Sequence, residues 1–263
     1  MTLIEQSSHG VTYMTSPNIH TTHAFTTRLG GVSRGVYASL NLGVNVGDDL
    51  SDVKDNYDRI CRALNITSDT LISMRQVHGA HVQVVTHENC DNIFSYGSCE
   101  ADGLITKEPN VALVAFAADC VPILLHNPVR NIIGAIHSGW RGTANDIVGI
   151  AVRKMSDEFD CAPADTRAVI GPSISKCCYD TDSDVADALI NRLADAAENC
   201  ITAHETKFMI DLKEANHLLL RRAGVCDIVV SDECTSCRSD KYWSHRRTSG
   251  RRGSQAAIII IRK

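Results

Sequence analysis

The sequence predicts an α/β or α+β fold in which helices cover sheets of short, buried strands. Four segments place apolar side chains at helical spacing, over residues 49–64, 143–159, 182–197 and 212–223. Between them lie short runs rich in β-branched residues, at 83–86, 111–115, 123–125, 132–136, 168–170, 228–230 and 256–261. Runs that are apolar throughout, such as AAIIII at 256–261, are typical of strands buried on both faces.

The predicted helices have recognisable faces and ends. The segment 49–64 begins with acidic residues suited to a first turn, and its apolar face consists of Val53, Tyr57, Ile60 and Leu64. The face of 143–159 consists of Ile147, Ile150, Ala151 and Met155. Gly224 follows the segment 212–223, where a glycine is typical of a helix C-cap.

Composition limits the classes of protein. The chain has 263 residues and a net charge of −5, with no low-complexity segment or linker, so we expect one domain over 1–263. An acidic balance disfavours nucleic acid as a partner. The longest apolar run, 111–125, contains Asp119 and Pro122 and is shorter than the roughly 20 residues of a membrane span. Because the first residues do not resemble a signal peptide, we expect a cytoplasmic protein with no membrane partner.

Cysteine is unusually frequent. An odd count of 11 without a secretory signal argues against a disulfide framework, so most of these thiols are expected to be buried. Cys234 and Cys237 form a lone C-x-x-C, which lacks the second pair that a zinc ribbon requires, so metal binding or a redox pair is less favoured here than packing alone. The adjacent Cys177 and Cys178 are predicted to be structural.

Three segments could carry chemistry. Cys120 lies between two apolar runs, and His137 stands where a predicted strand leads through a glycine-rich turn into a helix. Such turns place side chains at a sheet edge, where ligands bind. The segment 75–81 adds His78 and His81. One cysteine and two histidines with an open fourth position is the pattern of a catalytic zinc site, although these residues alone do not decide between the two histidines.

Positive charge is concentrated near the C-terminus. Residues 238–253 include Arg238, Lys241, His245, Arg246, Arg247, Arg251 and Arg252. This stretch is either a solvated loop or a site for phosphate or another oxyanion, because guanidinium groups match phosphate oxygens. Arg141, which follows His137 closely, is a second oxyanion candidate.

Taken together, these motifs resemble a known family. They are FTTRLGGVSRG (25–35), LNLG (40–43), VGDD (46–49), RQVHG (75–79), ADGLIT (101–106), ADCVP (118–122), AIHSGWRG (135–142), GPSI (171–174), CYD (178–180) and SHRR (244–247). The chain resembles the laccase-domain or polyphenol oxidase family, whose members are described as zinc-dependent purine nucleoside phosphorylases with adenosine deaminase side activity. Some of its members are described as peptidoglycan editing factors.

The resemblance implies a fold and a site. The fold would be a four-layer αββα arrangement, with two β-sheets sandwiched between helical layers, similar to the catalytic domain of a cytotoxic necrotizing factor. Zinc would be held by His78, Cys120 and His137, which selects His78 over His81. Catalysis would involve these three residues and Asp119, and the substrate-binding residues would be Asn41, Arg141 and Arg247.

The implied reaction is phosphorolysis of adenosine and inosine to the base and ribose 1-phosphate, with S-methyl-5′-thioadenosine as a further candidate. Its small-molecule partners would be a nucleoside and phosphate. In the deaminase side activity, Asp102 or Asp119 would transfer protons. Two alternatives stay open. One is a hydrolase of cell-wall peptide precursors with Cys120 as nucleophile and His137 as base. The other is a copper-dependent polyphenol oxidase, which the absence of any His-x-His pair disfavours.

Overall fold

The computed structural model describes residues 2–89, 92–95 and 100–262. Its strands are β1 (Ile4–Ser8), β2 (Val11–Thr15), β3 (Thr22–Thr26), β4 (Leu71–Ile72), β5 (Val82–Val84), β6 (Gly103–Thr106), β7 (Ala112–Ala117), β8 (Val121–Asn127), β9 (Ile132–Ser138), β10 (Arg167–Ile170), β11 (Asp180–Thr181), β12 (Ile201–His204), β13 (Lys207–Ile210), β14 (Asp227–Val230) and β15 (Gln255–Ile260). Its α-helices are α1 (Leu50–Leu64), α2 (Trp140–Ala144), α3 (Ile147–Phe159), α4 (Ser183–Leu193), α5 (Leu212–Arg222) and α6 (His245–Thr248).

The strands form two large sheets and one small one. The first sheet has the order β1-β2-β3-β15-β7-β4, and the second has the order β14-β10-β8-β9-β6-β5. A three-stranded sheet, β11-β13-β12, lies beside α4. The two large sheets pack face to face, α1 covers the outer face of the first, and α3, α4 and α5 cover the outer face of the second. The predicted four-layer αββα arrangement is therefore confirmed.

The position of strand β15 in the first sheet explains its unbroken apolar run. It lies between β3 and β7, and alternate residues point to opposite faces of the sheet. Ala257 and Ile259 join the core between the two sheets, whereas Ile258 and Ile260 pack beneath α1. Because both faces are covered, no position in this strand can be polar without a buried partner.

The structure corrects several predicted boundaries. The segment 143–159 is divided between two helices, α2 and α3. Asp146, which lies between them, adopts a left-handed conformation, and its carboxylate accepts a hydrogen bond from the N–H of Gly149 in the first turn of α3. The segment 182–197 ends as an α-helix at Leu193 and continues as a 3₁₀ turn over Ala194–Asn199. Gly224 follows Ala223, the C-cap residue of α5, and its φ of +92° is the left-handed conformation expected of a glycine that ends a helix.

The sequence analysis missed β1 to β4, β6 and the three-stranded sheet. Strands β1 and β2 form a hairpin whose two loop residues, His9 and Gly10, both have positive φ. Such a two-residue turn matches the twist of paired strands, so a polar run flanking His-Gly was a usable signal. None of the helices in the described part of the chain combines the length and apolar character needed to cross a bilayer.

Candidate metal centre

Three predicted side chains converge at one edge of the second sheet. The ligand atoms of His78, Cys120 and His137 all lie within 4.8 Å of one another. The two imidazole rings meet edge to face, with centroids 4.8 Å apart. His81, the alternative to His78, is exposed and lies beside Gln83, outside this cluster.

Strand register explains how residues distant in sequence meet. In the antiparallel pair β8 and β9, Val121 lies opposite Ser138 and Pro122 opposite His137. Cys120, which directly precedes β8, therefore lies at the same sheet edge as His137, near the end of β9. His78 lies in the turn before β5 with a φ of +59°, and this strained conformation is compatible with a side chain held for function.

Asp102 holds two parts of the centre in place. Its carboxylate accepts the backbone N–H groups of Val77, His78 and Gly79 at 3.3, 3.0 and 2.7 Å. It also lies 2.9 Å from Nδ1 of His137, and because a carboxylate only accepts, Nδ1 carries the proton. The Nε2 atom of His137 is then free to bind a metal, the arrangement that usually orients metal-binding histidines.

The electrostatic environment favours a charged Cys120. Burial alone would raise the pKa of this thiol, but His137 and His78 act against burial and lower it to about 6. Burial also disfavours charge on His137, yet Cys120 and Asp102 raise the pKa of its imidazole to about 9. A thiolate is the form of cysteine that binds metals and the form that acts as a nucleophile.

The space between the three side chains suits a metal ion. The next residue after Ser138 is Gly139, and a Cβ atom there would lie 3.3 Å from His78 Cδ2, 3.4 Å from Cys120 Sγ and 3.9 Å from His137 Cε1. A side chain at this position would therefore compete for the centre. A thiolate and two imidazoles, with room between them, fit zinc or copper.

Asp119 does not have the surroundings of a proton-transfer group. It lies in the turn between β7 and β8 with a φ of +93°. Its carboxylate accepts hydrogen bonds from Thr235 Oγ1 at 2.6 Å, from Ser244 Oγ at 3.0 Å and from the backbone N–H of Arg246 at 2.7 Å. Three donors occupy this buried carboxylate, which favours a role in positioning the loop that carries Cys120 over the proton-transfer role that we expected.

A cavity of about 230 Å³ is lined among others by Gln76, Phe116, Arg252 and Ser254. Gln76 lies two residues before His78, and its amide donates to the carbonyl of Phe116 at 2.9 Å and accepts the N–H of Phe116 at 2.7 Å. These paired hydrogen bonds fix one wall of the cavity.

Arg252 is the functional candidate that sequence analysis did not single out from its basic neighbours. One guanidinium nitrogen donates to Gly253 O at 3.1 Å and to Ser254 Oγ at 2.8 Å, whereas its Nε is buried with no acceptor. Burial lowers the pKa of Arg252, and the charges of Asp119 and Cys120 oppose this. A partly buried cation with an unsatisfied N–H, whose charge interacts with that of Cys120, is suited to an anionic ligand.

The predicted substrate-binding residues occupy different settings. Arg141 is exposed and stacks on the ring of Trp140 at 4.3 Å. Arg247 is exposed and lines a separate depression with Arg28 and Arg251. Asn41 is fully buried, and its amide bonds Gly43, Asp48 and Ser254, so in this structure it supports the loop at the cavity wall.

Much of the remaining basic stretch is structural. Arg238 pairs with Glu233 and Asp240, Lys241 pairs with Glu233, and Arg246 pairs with Asp180. These ion pairs hold the loop after β14 against its neighbours. Part of the basic stretch is therefore a surface loop held by ion pairs, and only its remaining residues are candidates to bind an oxyanion.

Comparison with known proteins supports the resemblance seen in the motifs. A family model described as multi-copper polyphenol oxidoreductase laccase matches residues 22–262. A protein of Geobacillus stearothermophilus named purine nucleoside phosphorylase YlmD is 41% identical over 242 residues, covering 89% of this chain and 88% of that protein. A Deinococcus radiodurans protein named purine nucleoside phosphorylase is 38% identical over 250 residues, covering 95% and 93%.

Solved structures agree over nearly the whole chain. The crystal structure of YlmD from Geobacillus stearothermophilus has a TM-score of 0.92 at 37% identity, with 98% of both chains covered. That of the Bacillus licheniformis hypothetical protein YfiH has a TM-score of 0.91 at 33% identity, with the same coverage. The chain therefore belongs to the laccase-domain family, whose model is described as a multi-copper polyphenol oxidoreductase and whose curated relatives here are named purine nucleoside phosphorylases.

Proposed function

We propose that this protein is a zinc-dependent purine nucleoside phosphorylase that cleaves adenosine and inosine to the free base and ribose 1-phosphate. The observation that carries the proposal is the cluster of His78, Cys120 and His137 together with a partly buried arginine, Arg252, whose charge interacts with that of Cys120. Phosphorolysis needs a cationic place for phosphate next to the group that stabilises the departing purine. S-methyl-5′-thioadenosine is a further candidate substrate, and adenosine deamination is proposed as a side activity.

The residues of the site would have separate roles in this reaction. In the reaction a phosphate oxygen forms a bond to C1′ of the ribose while the C1′–N9 bond breaks, and the bonding electrons and a proton go to the purine. Arg252 would bind phosphate through charge-assisted hydrogen bonds, with Arg141 as a second cation from α2. Asp102 and Asp119 would keep His137 and Cys120 oriented. Zinc, held by His78, Cys120 and His137, would supply a Lewis acid.

A second candidate function follows from the same centre. Cys120, His137 and Asp102 have the order of nucleophile, base and orienting acid, which supports a hydrolase of cell-wall peptide precursors. His78 separates the two proposals, because it is a metal ligand in one and has no necessary role in the other. A His78→Ala variant should lose a zinc-dependent activity and keep a nucleophile-dependent one.

The family description also raises copper, because a cysteine with two histidines is a donor set that copper accepts. Metal analysis of protein purified without added metal tests this directly. We expect zinc at the centre and little copper, with that zinc lost in Cys120→Ala. Stoichiometric copper, or full zinc occupancy of the centre in Cys120→Ala, would contradict the assignment.

Product analysis tests the reaction class. Adenosine and inosine are incubated with the protein in the presence and absence of phosphate, and the bases and nucleosides are separated. Phosphate-dependent release of adenine and hypoxanthine is the expected result, and phosphate-independent conversion of adenosine to inosine would show the deaminase side activity. Absence of all these products at high protein concentration would favour the hydrolase.

A further inference from the structure

A second cluster of metal-binding side chains lies outside the candidate active site. The four sulfur atoms of Cys177, Cys178, Cys234 and Cys237 all lie within 4.8 Å of one another. In the sequence, the C-x-x-C of Cys234 and Cys237 has no second C-x-x-C. The fold supplies a second pair of cysteines, because the two segments follow β10 and β14, which are parallel neighbours and so end at the same sheet edge.

The spacing of the sulfur atoms matches one tetrahedral ion. Cys177 Sγ lies 3.7 Å from the Sγ atoms of Cys178 and Cys237, and Cys178 Sγ lies 3.4 Å from that of Cys237. A tetrahedral zinc site with Zn–S bonds of about 2.3 Å separates its sulfur atoms by about 3.8 Å. A disulfide would need an S–S distance of about 2.0 Å. A sulfide-bridged cluster of several irons would hold its thiolates farther apart, so the geometry favours a single ion.

The surroundings of Cys234 favour a thiolate ligand. The backbone N–H of Ser175 donates to Cys234 Sγ at 3.3 Å. The ammonium group of Lys213, a buried residue, donates to Ser175 Oγ at 2.7 Å and to Ser231 O at 2.9 Å. Four thiolates around a divalent cation carry a net charge of −2, which a neighbouring fixed cation partly offsets.

We propose that Cys177, Cys178, Cys234 and Cys237 bind one structural zinc ion that joins the loop after β10 to the loop after β14. A closed set of four cysteines leaves no open position for substrate, which is the pattern of a structural site.

The proposed ion would brace one wall of the candidate active site. Thr235, inside the C-x-x-C, donates to Asp119, the residue before Cys120. Tyr179 follows Cys178 directly, and its pKa is raised to about 12, first by burial and then by the nearby Cys120. The two sites are thus connected through short structural links while their ligands remain separate.

Zinc stoichiometry of the full chain, purified under reducing conditions and loaded with zinc, tests the proposal. We expect two zinc ions per chain in the wild type, one in Cys120→Ala, one in Cys237→Ser and none in the double variant. Cys226→Ser is the matched control, because Cys226 is an exposed cysteine outside both clusters, and it should keep two. Cys237→Ser should retain phosphorolysis, whereas its thermal midpoint should fall.

The Cys120→Ala variant tests the four-cysteine site even if Cys237→Ser does not fold. X-ray absorption at its zinc edge should show four sulfur neighbours at about 2.3 Å and no imidazole. Absence of zinc from Cys120→Ala, a mixed nitrogen and sulfur environment, or a disulfide within the cluster under reducing conditions would overturn the proposal. Absence of phosphorolysis from the wild type itself, with two zinc ions bound, would instead count against the proposed function alone.

Discussion

The carboxylate of Asp102 lies 2.9 Å from Nδ1 of His137 and so fixes which ring nitrogen faces the metal centre. The same carboxylate receives the backbone N–H of His78, so one buried side chain positions two of the three ligands. Asp102 precedes β6, which pairs with β9, and this pairing fixes Asp102 beside the end of β9. The centre is therefore oriented by the sheet rather than by a mobile loop.

Replacing Asp102 by Asn should weaken metal binding without removing a ligand. The amide preserves shape but cannot accept all the hydrogen bonds that the carboxylate accepts, and loss of such a partner typically lowers metal affinity about 10–100-fold. Competition with a chelator measures the affinity, and thermal unfolding checks the fold. Asp55→Asn, on the exposed face of α1, is the control. Unchanged zinc affinity in a folded Asp102→Asn would show that the orienting contact is dispensable.

Substitution of Gly139 should close the centre in proportion to side-chain size. Gly139 has a φ of −73°, which other residues adopt freely, so the effect is one of space rather than backbone strain. Gly139→Ala should reduce zinc affinity and Gly139→Val should abolish binding at this centre. Gly79→Ala is the matched control, because a Cβ there meets nothing closer than 3.5 Å. Full occupancy of this centre in Gly139→Val would mean that the ion lies elsewhere.

Arg252→Gln should raise the KM for phosphate more than the KM for the nucleoside. A charge-assisted hydrogen bond contributes about 1.5–3 kcal/mol, so the increase should be about tenfold or more. Steady-state kinetics with phosphate varied at saturating inosine gives the comparison. Arg251→Gln removes an adjacent but exposed guanidinium and should have a smaller effect. Equal effects of the two variants would place the phosphate site in the exposed depression near Arg247.

Acid should destabilise the protein through His126, a buried histidine of β8. Burial, followed by Arg167, His20 and His23, lowers the pKa of His126 to about 4. The unfolded chain therefore binds a proton near its ordinary pKa while the folded chain does not. Above about pH 6.5, His126 therefore does not lower the free energy of unfolding. As the pH falls to about 4, its effect lowers that free energy by up to about 3 kcal/mol.

Denaturant unfolding of the wild type and His126→Gln between pH 4 and 7.5 measures this dependence. The difference in unfolding free energy between the two proteins should shrink as the pH falls. His204→Gln, on an exposed strand, controls for removal of a surface histidine. A pH-independent difference for His126→Gln would contradict the explanation.

The sequence was informative where one physical pattern dominated. Apolar periodicity located α1 and β15, because their buried faces leave little freedom of composition. It missed β1, since an exposed and polar strand has no such pattern. The motifs located Cys120 and His137, but only the register of β8 and β9 shows why they meet.

Two features of the sites depended on long-range geometry. Cys178 and Cys237 are 59 residues apart, and nothing local to either motif indicates that they pair. In the sequence Arg252 is one of several neighbouring basic residues, and only its burial and the lack of an acceptor for its Nε distinguish it from them. Cys90 and Cys99, which were expected to be structural, lie outside the described residues.

Phosphorolysis is distinguished from hydrolysis by its second product, ribose 1-phosphate. Inosine and phosphate are incubated with zinc-loaded wild type and with Cys120→Ala, and the phosphorus products are followed by ³¹P NMR. We expect ribose 1-phosphate and hypoxanthine in equal amounts from the wild type and neither product from Cys120→Ala. Hypoxanthine accompanied by free ribose, or equal ribose 1-phosphate formation by both proteins, would contradict the proposed zinc-dependent phosphorolysis.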